Sequence, residues 1–172
     1  MTHAIESAAK LLIENNLTIA FAESATAGRA SAYFSLVCNA GQFLKGGFVC
    51  YDADLKIEHL MVPKDLIEEF TPESMEVTES ITIGLANMID ADIHVGITGL
   101  PCPGGSETPE KPVGTMFIYA LLHKKPFIIE QLQLQGNHLE IVDQTVEHIA
   151  ILLNAYFSTS KSTDGITKTR YS

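Results

Sequence analysis

Residues 18–37 read TIAFAESATAGRASAYFSLV, and the change of character inside that stretch decides the fold class. Residues 18–22 are apolar or β-branched and predict a strand. The chain then turns polar through Glu23-Ser24-Ala25-Thr26-Ala27-Gly28, and residues 29–37 are compatible with a helix. A strand that passes through a short polar turn into a helix start leaves backbone N–H groups without helical partners, a setting that suits an anion.

Working outward, Ile5, Ala8, Leu11 and Leu12 recur at intervals of three and four, the stripe of an amphipathic helix ending near Asn15 and Asn16. On the other side, residues 43–51 predict a second strand interrupted by Gly46-Gly47, where a bulge or a close backbone approach is the usual cause. A short helix is expected over residues 53–61. Thr71-Pro72-Glu73-Ser74 has the form of an N-cap, a first-turn proline and an acidic first turn, followed by the helical face Val77, Ile81, Leu85 and Met88. Residues 93–98 form a short buried-type strand ending at Gly99. Beyond it Pro101, Pro103, Gly104, Gly105, Pro109 and Pro112 exclude regular structure, and so long a loop in a compact domain is usually functional. Strands over 115–122 and 127–134 flank His123-Lys124-Lys125-Pro126, the pattern of a hairpin. Leu139, Val142, Val146, Ile149 and Leu153 mark a last helix, and from residue 158 the apolar period stops, which predicts a flexible polar tail over 158–172. Helices and strands alternate early and a hairpin comes late, so the class is α/β with a mixed sheet.

Composition narrows the function. With 172 residues and 46% hydrophobic content the chain encloses one core and one domain. Its formal net charge of -10 argues against nucleic acid, which is bound through clustered Lys and Arg. The N-terminal residues lack a signal-peptide apolar run, and no stretch is long enough to span a membrane. Cys38, Cys50 and Cys102 are odd in number and without CxxC spacing, which disfavours a disulfide framework or zinc site and fits a reducing cytoplasm. The sequence contains no GxSxG, GxxxxGK[ST] or HExxH motif and no GxGxxG after a strand, and its six histidines lack ligand spacing. No metal or cofactor is expected.

Three polar segments, each following an expected strand, remain as candidates, because loops leaving the carboxyl ends of parallel strands gather at one edge of the sheet. They read AESATAGR (22–29), FLKGGFVCYDADLK (43–56) and TGLPCPGGSETPEKPVGT (98–115). In order and spacing they resemble the CinA C-terminal domain family, whose enzymes are nicotinamide-nucleotide amidases, and the similarity runs from about Leu11 to Phe157. The resemblance implies a three-layer α/β/α domain over residues 1–157 with a mixed, mostly parallel sheet, and a homodimer. It implies hydrolysis of the carboxamide of nicotinamide mononucleotide to nicotinic acid mononucleotide and ammonia, in pyridine-nucleotide salvage. Ser24 is then the nucleophile, Lys56 and Tyr51 are the candidates to take or relay its proton, and Thr26, Gly28, Thr98, Gly104, Gly105, Lys111 and His138 form the substrate shell. A lysine serves as a base when its surroundings lower its pKa. Lys111 reads equally as a binding cation or a surface charge.

The chain departs from the family pattern at Ala27, commonly glycine, at Gly41, near a usual serine, and at Gly136-Asn137-His138, where Gly-Asp-Arg is common. Val142 stands at a position that is often basic, and Leu100-Pro101-Cys102-Pro103 replaces an Ala-Gly-Pro run. Losing one charge-assisted phosphate contact costs about 1.5–3 kcal/mol, so the alternative is a nucleotide-binding or regulatory member that has lost turnover.

Overall fold

The computed structural model describes residues 2–164. Along the chain run α1 (His3–Glu14), β1 (Ile19–Glu23), α2 (Arg29–Ser35), β2 (Leu44–Val49), α3 (Ala53–Leu60), α4 (Lys64–Phe70), α5 (Met75–Met88), β3 (Ile93–Gly99), β4 (Thr115–Leu122), β5 (Lys125–Gln133) and α6 (His138–Asp164). The sheet order is β2-β1-β3-β4-β5. β1 pairs parallel with β2 and β3, whereas β3–β4 and β4–β5 are antiparallel. Four strands therefore point one way and only β4 opposes them, so the sheet is mostly parallel in direction, while its neighbour pairs divide evenly.

The strands explain the three layers. Every residue of β1 and of β3 is buried, as a central strand covered on both faces requires. Along β1, Ile19 and Phe21 face a core shared with α1, α2 and α6, and Ala20 and Ala22 face a smaller one with α3 and α5. Phe21, Phe34 and Phe43 fill the first core, with ring centroids 5.1 Å and 6.4 Å apart in sequence of contact.

The glycine pair in β2 serves both expected purposes. Pairing skips from Leu44 to Gly46 opposite Ile19 and Ala20, so Lys45 is the extra residue of a bulge. A Cβ on Gly47 would lie 2.8 Å from the Phe21 carbonyl and 2.5 Å from Ser31 Oγ, so β2 and α2 close on each other only because it is absent. The β4–β5 turn is His123-Lys124, both at positive φ, as a two-residue type I′ hairpin demands. Pro126 is tolerated because β5 is an edge strand.

Two boundaries differ from expectation. Residues 64–70 form α4, and Thr71 ends it rather than capping the next helix; Ser74 caps α5 by accepting from the Val77 amide at 3.2 Å. The helix expected to stop near Phe157 continues to Asp164, and the remaining tail, residues 165–172, lies outside the described residues. Among the described residues no helix is long and apolar enough to cross a membrane.

The topology fixes where a site can lie. Glu23 pairs with Val49 and Ile97, so the carboxyl ends of β1, β2 and β3 meet at one edge. Met116 opposite Gly99 and Gln133 opposite Thr115 bring the start of β4 and the end of β5 to the same edge, and α6 starts there.

Candidate active site

The turn after β1 is organised by a carboxylate. Glu23 is fully buried, and its two oxygens accept from Thr26 Oγ1 at 2.7 Å, the Ala30 amide at 2.9 Å, the Ser31 amide at 2.8 Å and Ser31 Oγ at 2.7 Å. A buried charge is tolerable only when so satisfied. The consequence is that the first-turn amides of α2 are already taken. The amides of Ala25, Thr26 and Gly28, just upstream, donate to nothing among the described residues. Ala27 sits between them at φ 47 and Gly28 at φ 92, so one of two left-handed positions is held by a residue with a Cβ, at a cost of about 1 kcal/mol.

Ser24 lies at 8% exposure beside these amides, and no hydrogen bond engages its hydroxyl. It faces a cleft of about 270 Å³ walled by Tyr51, Glu73 and the loop from Gly99 to Gly105. A broader cleft of about 510 Å³ shares Ala25 and Tyr51 with it and is lined by Thr26, Gly28, Arg29, His138 and Val142. Tyr51, 61% exposed, stands between the two.

Lys56, on α3, is 1% exposed, and its Nζ donates to the Tyr51 carbonyl at 3.2 Å. Burial pushes its ammonium below the ordinary lysine range, against the opposing pull of Cys50, Glu73 and Asp52. Burial pushes the Cys50 thiol up to about 11, so Cys50 is no thiolate at neutral pH. Among the described residues no hydrogen bond joins the Ser24 hydroxyl to Lys56 or to the Tyr51 hydroxyl, and no His, Cys, Asp and Glu cluster could hold a metal ion.

The CinA C-terminal domain model matches residues 1–157 of this chain. The chain belongs to that family. A CinA-like protein of Citrifermentans bemidjiense is 34% identical over 91% of this chain and 37% of its own length. One from Thermotoga maritima is 40% identical over 69% of the chain and 29% of its own length, so the chain spans about a third of the curated relatives it matches. The crystal structure of competence damage-inducible protein A (ComA) from Klebsiella pneumoniae superposes with a TM-score of 0.85 at 20% identity, covering 90% of this chain and 95% of that one. The competence/damage inducible protein CihA from Agrobacterium tumefaciens gives 0.82 at 24% identity, covering 90% and 96%. At such identities the likeness speaks for the CinA fold alone.

Of the residues singled out in the sequence, Ser24, Tyr51, Gly104 and Gly105 line one cleft, whereas Lys56 is buried behind it and is linked to it by its bond to the Tyr51 carbonyl. Gly28 and His138 line the broader cleft. Thr26 lines it too, with its hydroxyl spent on Glu23 and its amide unspent. Thr98 is turned away: it is fully buried and shares a hydrogen bond with Thr78 at 2.7 Å, joining β3 to α5. The Gly104 amide, expected in the substrate shell, donates to the chain's own Glu107 at 2.9 Å. That bond, with help from the Gly105 amide, holds the Glu107 carboxyl below the usual range. Lys111 is neither a surface charge nor a cleft cation. Its Nζ donates to Thr71 Oγ1 at 2.6 Å, the Glu73 carbonyl at 2.8 Å and Ser106 Oγ at 2.8 Å.

Sequence reading missed Glu23, Glu73 and Arg29. Glu23 carried a signal, an acidic residue closing an apolar strand, which folding must satisfy. Arg29 lines the broader cleft, with its Nε 3.7 Å from Asp143 and its guanidinium 5.4 Å from the Tyr33 ring centroid. Tyr33 donates to the same Asp143 at 2.8 Å, which ties α2 to α6.

Proposed function

We propose that this CinA-family chain is a nicotinamide-nucleotide amidase, converting nicotinamide mononucleotide and water to nicotinic acid mononucleotide and ammonia. The observation that carries the reading is an unspent Ser24 hydroxyl set among unspent amides of Ala25, Thr26 and Gly28. Ser24 Oγ attacks the carboxamide carbon, and neutral Lys56, oriented through Tyr51, takes the proton. Negative charge growing on the carboxamide oxygen falls to the free amides. Collapse returns the proton to the departing nitrogen as ammonia, and water hydrolyses the acyl-serine by the same route. Arg29 offers the nucleotide phosphate a positive partner in the broader cleft, and His138 offers it a ring N–H.

The test is incubation with nicotinamide mononucleotide and quantitation of both products. Equal amounts of acid product and ammonia are expected; no release from well-folded protein sinks the reading. Because the working form of Lys56 is neutral, kcat/KM rises with pH and levels off above the Lys56 pKa, which burial sets below the ordinary value of about 10.4. A profile flat from pH 6 to 9.5 argues against Lys56 as the base.

One observation favours a second reading, a nucleotide-binding protein without turnover: Lys56 donates to the Tyr51 carbonyl and not to Ser24. Thermal stabilisation by the nucleotide without ammonia release selects it.

A further inference from the structure

The loop between β3 and β4 is tied to the α4–α5 junction by residues far from it in sequence. Ser106 Oγ donates to Glu73 Oε2 at 2.5 Å, and lies 3.0 Å from Thr71 Oγ1. Lys111 joins Ser106, Thr71 and the Glu73 carbonyl. Thr71 holds φ 70 and ψ 158, a region that residues with a Cβ avoid and that persists only where neighbours enforce it. Glu73 is a wall of the Ser24 cleft, and an added Cβ on Gly105 would stand 3.9 Å from the Glu73 carboxyl carbon. The clasp therefore sets both where the loop lies over Ser24 and where the Glu73 carboxylate points.

We propose that Ser106 and Lys111 are positioning residues that clasp the loop and hold the Glu73 carboxylate away from Lys56, so that closing the loop switches the base on. Lys56 makes no ion pair with Glu73 within the 4.0 Å of a salt bridge, although Glu73 is close enough to favour its charged form. The other groups that act on Lys56 are Cys50, just after β2, and Asp52, the N-cap of α3; both belong to its own stretch of chain and are untouched by the clasp. Release of the loop frees Glu73 to pair with Lys56, keeping the ammonium charged and unable to accept a proton.

The role of Lys56 as base rests on the amidase reading, but its titration does not. The probe is the side-chain NMR titration of Lys56 in the full chain, in wild type, Ser106→Ala, Ser106→Thr and Ser106→Ala/Glu73→Gln. Ser106→Ala changes no charge, and circular dichroism monitors its fold. Its Lys56 midpoint is expected to rise by about one pH unit, the scale of a carboxylate brought within 4–6 Å. Ser106→Thr restores the wild-type midpoint, and adding Glu73→Gln cancels the rise. A midpoint unmoved in Ser106→Ala, or a rise that survives Glu73→Gln, overturns the proposal. If ammonia is released, kcat/KM at pH 7 falls about tenfold in Ser106→Ala with KM little changed; if none is released, the amidase reading fails while the titration still decides the clasp.

Discussion

The turn after β1 and the loop after β3 leave the same edge of the sheet and wall the same cleft, and each is held by an acidic side chain that takes backbone amides. In the first, Glu23 is fully buried and holds four donors. In the second, Glu107 is exposed and holds the Gly104 amide at 2.9 Å. The chemistry is alike and the surroundings differ. Water competes for every bond of Glu107 and for none of Glu23, so one carboxylate organises its turn and the other makes a bond that an incoming anion would have to displace.

The largest effect is expected at Glu23. Glu23→Ala leaves the Ala30 and Ser31 amides and the Thr26 and Ser31 hydroxyls without their acceptor, and unfolding by urea should show a loss of about 3–5 kcal/mol. A loss below 1 kcal/mol means that the turn does not depend on its buried charge. Ala27→Gly acts in the opposite direction. Relief of the left-handed strain at φ 47 should raise stability by about 0.5–1 kcal/mol, and a fall in the same denaturation experiment contradicts the strain. Glu107→Gln has the smallest effect on folding. Its melting temperature at pH 7 should match the wild type, while inorganic phosphate should bind more tightly because a competing negative charge is gone. Unchanged phosphate affinity removes the idea that an incoming anion must displace the Glu107 bond.

The same contrast explains what was legible in the sequence. The strand–turn–helix unit and the positions of Ser24 and Lys56 follow from local pattern and ordered motifs. Thr98 did not, because β3 is buried along its whole length and no alternation says which way a side chain turns. Thr71-Pro72-Glu73 had the form of a cap, but α4 forms immediately before it and moves the cap to Ser74. Lys111 was ambiguous for a different reason: its partner Thr71 lies 40 residues away, and only tertiary structure turns a loop lysine into a clasp. The departure at His138 was read as a missing cation, yet Arg29, inside a motif already quoted, faces the same cleft.

Everything proposed for the cleft depends on Ser24 as the nucleophile. Wild type and Ser24→Ala, matched in circular dichroism and melting temperature, should be compared for ammonia released from nicotinamide mononucleotide. Release by the wild type is expected, with a loss of at least about a thousandfold in the variant, the scale seen when a nucleophile is removed. Comparable release by a folded Ser24→Ala protein would contradict it.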